Sequence, residues 1–493
     1  MSAFSARVEY SGLAVRKTVE DPKHLGTGPR RQGFCAQPGP AETSANTAAS
    51  RGQPANGQTR NSQIGQALGA KSFSASSIRG AIQCYLACAV LFIFYSRFFD
   101  LFLSQYKIPA ITLGLSALAT LFSGHHWQSL HSRISKLLIL FTGVLMVSSM
   151  FSIWRGGSLE VVIGWAKSLL IYFLIVSLIQ DWKQSWKLVR NMAWSIGVLS
   201  VLSYIYGSGE SGRFLFAEGK LMNPNDLAQV LLLGLPFLLM LFWCSAMFAP
   251  SRLISLALIG VLGVTLLRTG SRGAMISAAI SLLVLMATGT SKVKMLTALA
   301  LATVLAWGAL ALSPALRARY LTFFDSTIDD TSEQTAQMSQ IAVDSAVDRR
   351  ELLMESVKFT LLHPILGVGP GMFAEARERD AAEQGRHAAF LLTHNTYTQV
   401  SSECGIPALV IFVAIVISIY RTATKIHRLS SRRPEPDLKA VAAAAMALKY
   451  SLLAYATTSF FSSVAYQALL PTLAGLVVAL EHSVAPRLAA PAK

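Results

Sequence analysis

His394 and Glu403 stand at the start of a strongly apolar segment, in a stretch, 392–407, that reads Leu-Thr-His-Asn-Thr-Tyr-Thr-Gln-Val-Ser-Ser-Glu-Cys-Gly-Ile-Pro. Titratable side chains at the mouth of a membrane helix are costly to bury, so they read as functional by default. On one straight helix, residues 394 and 403 fall on opposite faces and need not touch. The simplest geometry puts His394 just ahead of the helix start, and Glu403 within the helix or at a kink near 405–407. A neighbouring positive charge would keep the His394 ring neutral near pH 7 and able to take a proton. For Glu403, a structural role holding an arginine or a backbone amide stands beside a catalytic one.

The positive charge comes from arginines in unusual places. In Leu267-Arg268-Thr269-Gly270-Ser271-Arg272-Gly273-Ala274, the two arginines would share a face of a continuing helix, although Gly270 and Gly273 can break it. A guanidinium has a planar fork that suits phosphate oxygens and keeps its proton, so an anion clamp is one reading. A cation snorkelling from a helix end is the other, and it weighs more heavily for Arg268 than for Arg272. Arg213 lies ahead of Asn223-Pro224-Asn225-Asp226, a turn and helix-start signal, and adds a third cation. Arg349 and Arg350 open a further segment, 347–362, whose periodicity predicts a helix. Asp348, Glu351, Glu355 and Lys358 form its polar stripe, and Arg350, Met354, Val357 and Leu361 line another face. On that pattern Arg350 points to the cavity beneath. His363-Pro364 ends the helix, and Gly367-Val368-Gly369-Pro370-Gly371 forces a turn.

The elements that must position these residues are membrane spans. The chain is 53% hydrophobic and 14% charged over 493 residues, with a mean hydropathy of +0.47, too apolar for a soluble protein of this size. About twelve apolar runs approach the ~20 residues a span needs: 81–103, 107–123, 136–153, 159–180, 188–206, 226–249, 253–269, 273–289, 294–312, 397–420, 441–463 and 465–482. The formal charge of +17 falls largely in the N-terminal tail and in short loops, as positive-inside topology requires, which argues against a nucleic-acid partner. Residues 1–79 read as a disordered basic cytoplasmic tail, 80–312 as a first bundle of about nine spans, 313–393 as the one large loop, 394–483 as the last spans and 484–493 as a cytoplasmic tail. Arg133, Lys136, Lys183, Lys187, Arg190, Arg252, Lys292, Lys294 and the basic run from Arg421 to Lys439 then fall inside. The large loop and Arg155, Arg213, Arg268 and Arg272 fall outside. Within the loop, 325–346 reads as flexible and solvated.

The remaining chemistry-bearing types carry little. Cys35, Cys84, Cys88, Cys244 and Cys404 lack paired metal spacing and read as packing residues. His125-His126 lies in a predicted cytoplasmic loop without partner ligands. No Walker loop, Rossmann glycine pattern or DxD-type cluster occurs near the candidate site, so the sequence calls for neither a cofactor nor a metal.

From about 349 to 417 the chain resembles the O-antigen ligase and polysaccharide polymerase superfamily. The resemblance rests on Arg349-Arg350 before a helix, His363-Pro364 through Gly371-Met372-Phe373, and His394-Asn395 with Glu403 and Gly405-Ile406-Pro407. Residues 269–274, and Arg213 with Asn223-Pro224-Asn225, match weaker upstream elements. The resemblance implies an all-α integral membrane protein of about twelve transmembrane helices. One large periplasmic loop would contain an amphipathic helix, and the active site would open to the periplasm from the bacterial inner membrane. It implies metal-independent, inverting transfer of a glycan from undecaprenyl diphosphate to an acceptor hydroxyl. Arginines would neutralise the diphosphate, and His394 would act as base or orient the acceptor. The family's loop arginine falls at Arg349, whereas periodicity favours Arg350. The acceptor decides the activity: lipid A core for a ligase, the growing glycan for a polymerase, a protein for an oligosaccharyltransferase. A glycan flippase or transporter, from a different class, would share the apolar runs but would be expected to show repeat symmetry and midplane charges.

Overall fold

The computed structural model describes residues 75–121, 130–210, 213–215, 223–288 and 333–489, together with 302, 306, 308 and 320. Among these, helices dominate: α1 (Ala75–Ser96), α2 (Phe98–Phe102), α3 (Ile108–Leu121), α4 (Arg133–Met150), α5 (Arg155–Leu178), α6 (Trp182–Tyr206), α7 (Pro224–Cys244), α8 (Pro250–Arg268), α9 (Arg272–Thr288), α10 (Glu333–Leu362), α11 (Phe373–Glu383), α12 (Thr396–Ser431), α13 (Pro436–Thr458) and α14 (Leu469–Ala489). A short antiparallel hairpin, β1 (Ser208–Glu210) and β2 (Arg213–Leu215), joins α6 to the loop before α7, with Glu210 opposite Arg213.

Nine of the described helices are long and apolar enough to cross a membrane: α1, α4 to α8, and α12 to α14. The chain is a multi-pass membrane protein. Of the other three expected spans, 107–123 is the 14-residue α3 and 273–289 the 17-residue α9, while 294–312 lies largely outside the described residues. The tail 1–79 also lies outside them up to residue 74, as do His125 and His126, and α14 runs on to Ala489 through the expected C-terminal tail.

Helix starts follow local chemistry. Asn223 caps α7 by accepting the Asn225 N–H, with Pro224 in the first turn, as the Asn-Pro signal requires. Asp181 and Gln184 form a capping box at α6. The expected kink in α12 is present: Gly405 has φ +84°, and Pro407 supplies no N–H. One expectation fails within 325–346, because residues 333–346 belong to α10. Their run of Glu, Gln, Ala and Met has high helix propensity, which outweighs polarity.

The bundle centres on α13 and α14, each 72% buried along its span, whereas α1, α4 and α8, at 39%, lie at the periphery. α13 packs on α12 and α7, α14 packs on α5, and α10 lies against α12. A second, smaller apolar core joins α10 to the turn and helix that follow it, through Leu352, Phe359, Val368, Met372, Phe373 and Ala376.

Candidate functional site

His394 is the last residue but one before α12, and its backbone is left-handed, with φ +51°. Histidine tolerates that region better than most residues, yet holding it there costs roughly 1–3 kcal/mol unless the surroundings fix it. They do. Asn395 caps α12 by accepting from the N–H groups of Tyr397 and Thr398. The Thr396 N–H donates to Ser459 O at 2.7 Å, and its hydroxyl donates to Ser462 O at 2.6 Å and accepts from the Val464 N–H. On the other side of His394, the Thr393 hydroxyl lies 3.0 Å from that of Ser463. The histidine is thus clamped, through both flanking threonines, to the 459–464 turn that follows α13.

The same turn reaches Arg272. α9 begins at Arg272, just after Gly270 at φ +61°, and a Cβ on Gly273 would lie 2.5 Å from Cβ of Phe461. Only glycine lets α9 start this close to the turn. Ser271 donates to Asn225 Oδ1 at 2.9 Å, and Ser462 to Gln229 Oε1 at 3.0 Å, which ties both pieces to α7.

Arg349 completes the cluster from α10. It is half-buried on the helix face that carries Leu352, Ser356 and Phe359, and that face is fixed to α12 by a 2.8 Å contact between the Thr360 and Ser401 hydroxyls. Burial, and then the nearby Arg272, lower the Arg349 pKa from its ordinary value. Burial, and then Arg349, also lower that of His394, against the opposing pull of Asp348. Arg349 therefore lies within electrostatic reach of both Arg272 and His394, and the neutral imidazole expected from sequence is the form this setting favours. The side chains of His394 and Arg349 make no hydrogen bond or ion pair among the described residues.

Two other acids of α10, Glu351 and Glu355, pair away from Arg349. Arg377 of α11 pairs with Glu355 and, at 3.3 Å, with Glu351, and also donates to Ala389 O. Lys358 pairs with Asp380 at 2.7 Å. The polar stripe of α10 is thus a docking edge for α11.

Other candidates go elsewhere. Arg350 is exposed, so the periodicity that turned it inward chose the wrong face of α10. Arg268 ends α8 with its guanidinium over the rings of Phe214 (4.9 Å) and Tyr204 (5.4 Å). That is a cation–π seat, consistent with the structural alternative. Arg213 opens β2, one residue before Phe214. Glu403 is fully buried, and its Oε2 accepts from the Gly371 N–H at 2.9 Å and the Tyr466 hydroxyl at 2.7 Å. Its own carbonyl accepts from Gly369 N–H, Ser402 O accepts from Val368 N–H, and Ile406 N–H donates to Pro364 O. The 363–372 turn is therefore sewn onto the α12 kink. A Cβ on Gly405 would collide with the Ile365 carbonyl, and one on Gly367 with the Glu403 backbone. Glu403 thus holds a backbone amide, the contact expected of a structural role. Among the described residues, Cys84, Cys88, Cys244 and Cys404 form no disulfide.

Residues 256–413 match the O-antigen ligase family model. The match supports membership of the O-antigen ligase superfamily, whose members are glycosyltransferase-like membrane enzymes. It runs from α8 into α12 and so contains Arg268, Arg272, Arg349, Arg350, His394 and Glu403. No curated protein matches the chain. Two parts of the site lie outside the family match and were missed in the sequence: the 459–464 turn, and Tyr466, which holds Glu403. Their only local signal is the Ser/Thr-rich run 457–463 between two apolar segments.

Proposed function

We propose that this protein transfers a glycan from a polyprenyl diphosphate, in this family undecaprenyl diphosphate, to an acceptor hydroxyl at the outer face of the membrane, with inversion and without a metal ion. The observation that carries the proposal is the convergence of Arg272, Arg349 and His394 from three separate helices or helix starts. The acceptor oxygen bonds to the anomeric carbon opposite the leaving group. The bond from that carbon to the diphosphate oxygen breaks, and its electron pair departs with the diphosphate. The hydroxyl proton passes to the neutral His394 ring, a contribution of roughly 10²- to 10⁴-fold. Arg272 and Arg349 take up the charge that develops on the diphosphate, the part played by a metal ion in other transferases.

Glu403 is a positioning residue in this scheme, since it holds the turn that carries α10 and with it Arg349. The reading adopted is ligase-like, with lipid A core as acceptor; a growing glycan as acceptor would make the protein a polymerase. Analysis of the lipid-linked glycans in a deletion strain tests the proposal. Accumulated long polyprenyl-linked chains would identify a lost ligase, and single repeat units a lost polymerase. Unchanged lipid-linked glycan would overturn the reading.

A further inference from the structure

The apolar face of α10 that periodicity picks out is turned away from the protein. Met354 is 66% exposed and Leu361 71%, with Val347, Leu353 and Val357 exposed beside them. The face continues past the helix end through Leu362 and Ile365, the latter 69% exposed. A contiguous apolar surface of this kind is rare on a protein face that meets water.

What covers it follows from its neighbours. The Ser148 hydroxyl donates to Leu366 O, the Ile153 N–H to Val368 O and the Ile406 N–H to Pro364 O, so the 361–368 segment sits between the end of α4 and the α12 kink. The exposed residues there are Val147, Met150 and Phe151 on one side and Ile406 and Val410 on the other, the outward faces of two candidate spans. The apolar surface of the spans therefore runs without a break onto the loop, and exposed Trp154 lies at the margin where an interfacial aromatic belongs.

We infer that the C-terminal half of α10 and the 361–366 turn are immersed in the adjoining lipid leaflet, with the Met354–Leu361–Ile365 face in contact with acyl chains. α10 is then a three-faced element. One face packs on α12, the charged edge pairs with α11, and the third lies in lipid as an interfacial helix does. Arg350, exposed on that third face between Val347 and Met354, reaches lipid phosphates with its guanidinium while its stem stays in the apolar layer. Immersion sets the depth of the whole cluster. Arg349, on the inner face of the same helix, is held at the headgroup level, where a lipid-borne substrate can enter sideways. The inference stands whether or not the protein transfers glycans.

The test places single bimane labels at Met354→Cys, Leu361→Cys and Ile365→Cys in the full-length protein, reconstituted in nanodiscs with or without acyl-brominated phosphatidylcholine. Val410→Cys serves as the span reference and Glu378→Cys, exposed on α11, as the aqueous one; signal from the native cysteines is subtracted with the parent. Several-fold quenching by brominated lipid is expected at Leu361 and Ile365, matching Val410, with Met354 intermediate and Glu378 unaffected. Leu361 and Ile365 labels that behave like Glu378, quenched by aqueous iodide instead, would overturn the inference. So would labels shielded from both quenchers, which would mean that a protein surface covers the face.

Discussion

The sharpest perturbation is at Glu403, because its two roles respond oppositely to one substitution. Both well-defined donors, the Gly371 N–H and the Tyr466 hydroxyl, converge on the same oxygen, Oε2. Glutamine keeps one carbonyl oxygen able to accept both bonds but puts its NH2 group where Oε1 has no partner among the described residues, so Glu403→Gln should cost about 1–3 kcal/mol. Leucine keeps the bulk but no acceptor. It strands two buried donors at about 1–3 kcal/mol each, roughly 2–6 kcal/mol in all, and releases the turn that anchors α10. Thermal unfolding of the purified protein in detergent, followed by size-exclusion chromatography, should rank parent, Glu403→Gln and Glu403→Leu in that order. Transfer from a purified lipid-linked donor should be largely retained in Glu403→Gln and lost in Glu403→Leu. A glutamine variant as stable as the parent but as inactive as one lacking His394 would refute this reasoning and put the carboxylate in the chemistry.

Three further outcomes follow from the cluster. His394→Ala should lower single-turnover transfer by roughly 10²- to 10⁴-fold while leaving donor affinity largely intact, and a rate within a few-fold of the parent would send the search for the base elsewhere. Because burial and Arg349 hold the His394 pKa below its ordinary value while Asp348 raises it, the acid limb of the rate profile should move to higher pH in Arg349→Gln and to lower pH in Asp348→Asn. Shifts of the same sign in both variants would separate that limb from His394. Arg272→Lys should impair transfer nearly as much as Arg272→Ala, since a clamp on diphosphate uses the guanidinium fork as well as its charge; full activity of the lysine variant at normal membrane abundance would remove Arg272 from the site.

Much of the local architecture was legible because it depends on local chemistry. Gly405 and Pro407 announce the α12 kink, Asn223-Pro224 announces α7, and the His394–Asn395 pair announces the start of α12. The face of α10 was not legible. In water, an apolar stripe such as Met354–Val357–Leu361 marks the side that packs on protein, but beside a bilayer lipid is an equally good apolar solvent. The protein-facing side is then told by small and hydroxyl residues that allow close approach, here Ser356 and Thr360 against Ser401. Arg349 shares that side, which explains why the periodicity favoured its neighbour. The 459–464 turn escaped for a different reason: its threonine, glutamine and glycine partners at 393, 396, 229 and 273 are distant in sequence, and no local pattern encodes them.

On the proposed function, the charge balance of the cluster bears on how it would bind an anion. Two arginines brought together in a half-buried setting repel each other, and a neighbouring carboxylate would ordinarily relieve that repulsion. On α10 the carboxylates are present, at Glu351 and Glu355, but the helical period points them toward α11, where Arg377 takes both. Asp348 stays exposed and makes no ion pair among the described residues. Arg377 thus pairs with two acids on the edge of α10 that faces α11, and Asp348 is the acid that acts on His394. On the proposed function, a dianionic group entering beside Arg349 and Arg272 would relieve their mutual repulsion, and most as charge accumulates on a departing diphosphate, so the arrangement would favour the transition state over the bound donor.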